Sequence, residues 1–266
     1  MVRRIMLAIV LLIASMPLLT AASAEAAIAE VGGGSQRVTG SAGNFASTTQ
    51  AFPGNVTANN LMACGGNIWN SPAITGLTIT DTRSSAWTVV LGPATGEFVP
   101  FVAYAIVPSS GAVTVTIAPT GGGNYGTWSC DEFSGTATAS VLDADGGSTT
   151  ATTTTPSDAM TTTTENALIL GLLGNNTNTA AFLAAGSGYT QIGEVESASW
   201  AAHLFEFRIG TTAAVYTVDA TMSSAVSSTM QTLSLTQASV VANQPMHLRG
   251  GSIPGMNSLG LGGPLP

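Results

Sequence analysis

The chain has 266 residues, 45% of them hydrophobic and only 8% charged, with a net charge of −8. Lysine is absent, and the six basic residues (Arg3, Arg4, Arg37, Arg83, Arg208 and Arg249) form no stripe, so a nucleic-acid partner is not expected. Solubility must rest on Thr, Ser, Asn and Gly rather than on charge, which favours a neutral surface of hydroxyls and amides.

Arg3 and Arg4 precede an apolar run from Ile5 to Leu19, and small residues follow at Ala22, Ser23 and Ala24. A charged start, an apolar middle and a small-residue cleavage site predict a secretory signal helix over residues 1–24. Cleavage after Ala24 or after Ala26 fits equally well. The run is short for a permanent span, so no stable membrane span is expected after cleavage. The mature chain is expected in the extracellular space or the cell envelope, with four arginines against 14 acidic residues when cut after Ala24.

Residues 25–44 are Gly-rich, lack periodicity and read as a flexible lead-in. Beyond them, short segments rich in Val, Ile and Thr are separated by Gly, Pro, Asn and Ser. Leu77 and Ile79 alternate with Thr78 and Thr80; Val113, Val115 and Ile117 alternate with Thr114 and Thr116. Tyr216, Val218, Ala220 and Met222 alternate with Thr217, Asp219 and Thr221. Period two with β-branched residues predicts strands with one buried and one wet face. The expected class is all-β.

The chain also echoes itself. Trp87 matches Tyr189, Tyr104 matches Phe207, Val113 matches Val215, Trp128 matches Met230 and Phe133 matches Leu235, at a near-constant spacing. AsnAsnLeuMetAla from Asn59 matches GluAsnAlaLeuIleLeu from Glu165 with some slippage. Such self-similarity predicts an internal duplication, with half-repeats at 45–147 and 165–237. With about five strands expected per half, two sheets stacked face to face predict one β-sandwich of about ten strands over 45–237. The Thr-rich stretch 148–164 is expected to cross between the halves as an extended, partly paired edge, since Pro156 argues against a central strand. Residues 238–266 form an irregular Gly/Pro-rich tail that is unusually apolar, with Met246, Leu248, Ile253 and Leu261.

Asn60-Leu61, Thr80-Asp81 leading to Trp87-Thr88, Tyr104-Ala105, Glu132-Phe133-Ser134-Gly135, Leu142-Asp143 and Ala185-Gly186-Ser187-Gly188-Tyr189-Thr190 carry a resemblance. Over Phe45 to Leu235 the chain resembles an uncharacterised duplicated module of secreted bacterial and phage structural proteins. The resemblance implies a β-sandwich or jelly-roll-like domain in extracellular or virion assemblies and brings no catalytic residues. Cys64 and Cys130 stand where similar sequences have small apolar residues.

Several constellations bear on function. Cys64 and Cys130 are an even pair that suggests a disulfide in an oxidising compartment, with buried free thiols as the alternative. Trp69, flanked by Asn67 and Asn70, reads as a loop-tip aromatic suited to a sugar or a protein partner. Glu194 and Glu196 lie two apart on a strand, about 6 to 7 Å from each other, a spacing used in glycoside hydrolysis. Trp200 lies close by in sequence. His203 and His247 are the only histidines, and no Gly-x-Ser-x-Gly elbow accompanies them. Asp143-Ala144-Asp145-Gly146 has the shape of half a calcium loop but lacks the remaining acids, so a turn explains it better. Asp81 is expected to bond backbone N–H groups in a hairpin turn. No metal and no cofactor are expected. The function expected is a non-enzymatic binding or assembly protein with protein partners, self-assembly or glycans. A carbohydrate-binding module is the alternative, and a glycoside hydrolase using Glu194 and Glu196 the more distant one.

Overall fold

A computed structural model describes residues 27–43, 46–69, 73–94, 98–121, 125–175, 183–195 and 201–239. The signal segment, Asn70, Glu196, Trp200, His247 and the tail beyond Ser239 lie outside them. Residues Glu25–Ser239 form one compact unit.

Ten strands come first: β1 (Ala29–Glu30), β2 (Val38–Gly43), β3 (Thr48–Val56), β4 (Leu61–Trp69), β5 (Gly76–Asp81), β6 (Thr88–Leu91), β7 (Phe98–Ile106), β8 (Gly111–Thr120), β9 (Tyr125–Ser134) and β10 (Leu142–Thr153). Seven follow: β11 (Ser157–Thr161), β12 (Ala167–Asn175), β13 (Leu183–Ala185), β14 (Thr190–Val195), β15 (Ala202–Gly210), β16 (Val215–Met222) and β17 (Val226–Leu235). The only helical element described is a 3-10 turn at Val31–Gly33.

Four antiparallel sheets result. One large sheet runs β1-β9-β4-β7-β6, with β2 also on β9, and is faced by the small sheet β3-β8-β5. The other large sheet runs β10-β17-β12-β15-β14 and is faced by β11-β16-β13. The two large sheets also face each other. Leu61, Ala63, Val102 and Phe133 of the first meet Leu170, Leu172, Phe205 and Leu233 of the second in one buried cluster. Phe133 and Phe207 meet edge-on at 4.9 Å between centroids. The all-β expectation holds, in a β-sandwich-like arrangement of packed sheets.

The layering differs from the single ten-strand sandwich expected. Each half supplies two sheets rather than one, and 17 strands are described. The physical reason lies in two kinds of strand. Those of the small sheets, such as β8 and β16, alternate apolar with Thr and wet one face. β4, β7 and β12 instead read as nearly continuous apolar runs and are buried on both faces. Close approach of the large sheets needs glycine: a Cβ on Gly65 would lie 2.5 Å from the Phe205 ring.

Two boundaries also move. The lead-in is built into the fold: β1 and β2 both pair with β9. Gly32, Gly33 and Gly34 turn the chain at φ of 64°, 61° and 89°, a left-handed conformation that glycine adopts without strain. The Glu30–Arg37 ion pair closes that turn. Residues 142–147, expected at the end of the first half-repeat, belong to β10, which pairs along β17. The Thr-rich stretch continues β10, turns at Pro156 and enters β11.

Candidate functional site

Asn67 does not lie at a loop tip. It sits within β4, fully buried, and faces the second large sheet, where its amide donates to the carbonyls of Asn175 at 2.9 Å and Ala202 at 3.2 Å. Gly174, whose added Cβ would lie 3.0 Å from that amide, leaves it room. An amide spent between two sheets is a structural tie and has no surface to offer a ligand. Trp69 is the last residue of β4, half-buried and edge-on to Phe98 at 5.2 Å. It is therefore a strand-end aromatic anchored on its neighbour, while Asn70 lies outside the described residues.

Cys64 and Cys130 stand directly opposite each other on β4 and β9, with Cα atoms 4.1 Å apart, and are joined by a disulfide. Both are fully buried between the first large sheet and β3-β8-β5. Asp81 accepts from the Arg83 N–H at 2.6 Å and from Trp87 Nε1 at 2.7 Å, the turn chemistry expected of it. Asp143 holds the turn before β12, accepting from Thr163 and from Ser234. Burial works against its charge, but those bonds outweigh burial and hold its carboxyl below the usual range. Asp145 accepts from the Gly147 N–H at an irregularity of β10. These oxygens thus serve a strand bulge and its neighbours, where a simple turn was expected.

His203 lies on β15 and is fully buried. Its Nε2 is 2.7 Å from Ser129 Oγ across the gap between the large sheets. Burial pushes the imidazole down to about 3, so it is neutral near pH 7. A Ser–His contact with both partners fully buried cannot meet a substrate from solvent. Glu194 lies on β14 and accepts from Gln191 at 3.1 Å. Its expected partner Glu196 lies outside the described residues.

Two carboxyl clusters escaped the sequence reading. Asp131 is fully buried on β9, 3.5 Å from the Arg37 guanidinium that pairs with Glu30. Burial, then the Glu30 carboxyl beside it, pushes Asp131 up to about 8 despite Arg37. Glu206 is fully buried on β15, in the space left by Gly171 on β12. One oxygen accepts from the Gly186 N–H at 2.9 Å, and burial pushes the group up to about 8. Beside it the Arg208 guanidinium lies 5.0 Å from the Tyr216 ring and 5.8 Å from that of Tyr189, within cation–π range. The available signal was a glycine interrupting the Leu-rich run of β12 opposite a glutamate.

The accessible candidate is a cleft of about 340 Å³ where the chain passes between the halves, lined by Ala139, Ser140, Glu165, Asn166, Thr236 and Ser239 among others. Three backbone ties fix it: Ala137 N–H to Thr236 O, Ala238 N–H to Gly135 O and Thr236 N–H to Val141 O, all between 2.8 and 2.9 Å. Ser140 and Asn166 adopt left-handed φ of 50° and 54° there. Its lining holds one carboxylate, several hydroxyls and no cation, which suits a neutral hydrogen-bonding ligand better than an anion. No family model, curated protein or solved structure matches the chain.

Proposed function

We propose that this is an exported, non-enzymatic protein that acts by binding or assembly, built as a duplicated pair of jelly-roll-like sandwiches. Duplication is supported by strand order. Advancing each strand by eight turns β2-β9-β4-β7-β6 into β10-β17-β12-β15-β14, and β3-β8-β5 into β11-β16-β13. Counted within either half, the large sheet begins first-eighth-third-sixth and the small one reads second-seventh-fourth. That is a jelly-roll order with the fifth strand moved to the large sheet. Tyr104 and Phe207 share the central core, as do Phe133 and Leu235. Val113 and Val215 do not correspond: the first is 2% exposed and the second 65%, so Tyr216 takes the place of Val113.

One observation carries the binding reading. The groups with the most displaced acidities, Asp131, His203 and Glu206, are all fully buried, while hydroxyls and methyls dominate the small sheets' outer faces and the cleft lining. The bridge at Cys64–Cys130 agrees with an oxidising compartment. Fractionation of the native source tests the reading. The mature chain, starting after Ala24 or Ala26, should be recovered outside the cytoplasm together with specific partners; a cytoplasmic chain with an intact N-terminus would refute it.

A second reading, carbohydrate recognition, rests on the half-buried Trp69 ring anchored on Phe98. Trp69→Ala should then abolish glycan-array binding, and unchanged binding would remove that residue. The hydrolase alternative rests on Glu194; sugar release lost in Glu194→Gln would overturn the non-enzymatic proposal.

A further inference from the structure

We propose that Glu30, Arg37 and Asp131 form a pH-sensitive clasp, which holds the N-terminal lead-in on the edge of β9 and loosens as pH rises. This goes beyond the binding reading and does not depend on it. β1 pairs with β9 over two residues, Ala29 with Ser134 and Glu30 with Phe133. β2 pairs with the same strand from Cys130 to Tyr125. Asp131 and Glu132 fall between these pairings, where the Gly32–Gly34 turn leaves the sheet edge. Ile28, just ahead of β1, is buried in the central core, so releasing the lead-in uncovers that core.

The cluster is tightly built. One Asp131 oxygen accepts from the Glu132 N–H at 2.8 Å. The other, Oδ2, is 3.5 Å from Arg37 Nε, whose N–H is bonded to Glu30 instead. The Asp131 carboxyl also meets that of Glu30 directly, side chain to side chain. A Cβ on Gly34 would lie 2.8 Å from Arg37 Nε and 3.1 Å from Glu30 Oε1, so the turn closes right over the pair. One guanidinium balances one carboxylate. With Asp131 protonated the cluster is neutral; with it ionised, a buried negative charge is left over, which burial penalises heavily.

The surrounding elements bring no second cation among the described residues. Across the sheet Asp131 pairs with Ala63 on β4, and β2 and β12 carry no charged residue. β14 carries Glu194, bonded to Gln191, and β15 brings His203, neutral and 2.7 Å from Ser129. The Glu132 side chain points to the opposite face, toward Thr57 and Asn60. Burial and then Glu30 raise Asp131 from 3.8 to about 8 in the closed state, and opening returns it toward 3.8. The closed state therefore holds an extra proton between these values, and the clasp's contribution is lost as pH rises through about 8.

Hydrogen exchange of the full mature chain, corrected for the intrinsic rate, tests this in the β2 amides. Their protection should fall by about tenfold per pH unit between about pH 5 and 7 and level off above about 8. At every pH it should lie at least about tenfold below that of β7, because the lead-in opens without global unfolding. Asp131→Asn keeps an acceptor for Glu132 and a donor for Glu30 but cannot ionise. Its β2 protection should be flat with pH and exceed wild type by about tenfold or more near pH 7. Glu30→Gln leaves one carboxylate to one guanidinium and should reduce the wild-type slope. The chain has no lysine, so trypsin gives a second readout: near pH 8 it should cut after Arg37 faster in wild type than in Asp131→Asn. Wild-type protection that ignores pH, or a wild-type slope kept in either variant, would overturn the proposal. So would equal protection in β2 and β7, since the lead-in would then leave only when the whole fold does.

Discussion

The two sandwiches follow one strand plan but fill the same row of their interiors in opposite ways. In the first, Cys64 on β4 has Ala103 and Cys130 as its neighbours across the sheet, and the row is closed by a covalent bond. In the second, the corresponding row is Gly171, Glu206 and Thr232. There the glycine makes room for a buried carboxyl that reaches the Gly186 N–H, and Thr232 donates to Asp158. The turn before the central strand differs in the same spirit. Glu132 accepts from the Thr57 N–H and the Asn60 amide in the first half, whereas Asp143, reaching over from β10, holds Thr163 in the second. Strand order and apolar pattern therefore constrain the fold more tightly than the identity of any one interior group does.

The largest effect should come from the layer both halves share. Phe205 is fully buried against Gly65, and Phe205→Ala should cost about 4 kcal/mol in urea unfolding. A loss under about 1 kcal/mol would mean that the two large sheets do not share a core. Next, replacing both Cys64 and Cys130 by Ala removes a link spanning 66 residues and should cost about 3 kcal/mol. Hydrogen exchange should then speed up in β8 and spare β16. Equal acceleration in both would show that the sandwiches unfold as one unit and that the difference between their interiors is not local.

Part of this was legible. Alternation in β8 and β16 marked them as one-faced strands, and the Tyr104/Phe207, Trp128/Met230 and Phe133/Leu235 matches fall on equivalent core faces. The Val113–Val215 match failed because a one-residue slip in a strand reverses every side chain. The four-layer stacking went unread because β4, β7 and β12 lack alternation, and a continuous apolar run does not by itself say which sheet covers which face. Asn67 misled because an amide beside Trp and Asn resembles a surface cluster, while its burial depends on Gly174, 107 positions away. Glu206 and Asp131 were invisible for a similar reason. Their partners come from strands distant in sequence, and only packing reveals that they are dry.

The polar interior of the second half makes a pH prediction of its own. Glu206 is raised from 4.5 to about 8 in the fold, so its neutral form is the one the fold favours. Its contribution is fully present below pH 4.5 and is lost as pH rises through about 8. Asp131 acts with the same sign, and His203, lowered from 6.5 to about 3, with the opposite sign. Wild type should thus lose stability between pH 5 and 8. Glu206→Gln, which keeps an acceptor for Gly186 but cannot ionise, should flatten that slope by roughly 2 kcal/mol over the interval. An unchanged slope would mean that Glu206 is ionised in the folded protein.

The smallest effect sharpens the comparison most, because it asks both halves the same question. Asn59 and Asn166 each precede the central strand of their sheet and adopt φ of 68° and 54°. Asparagine tolerates this left-handed conformation better than alanine does, and glycine better still. Asn59→Ala and Asn166→Ala should each cost about 1 kcal/mol, and the glycine variants close to nothing. Matching losses would mark the two turns as equivalent, as duplication requires. A loss at Asn59 alone would mean that Asn166 is not held by its backbone, and the left-handed turn lining the cleft would then owe its shape to the backbone ties around Thr236 instead.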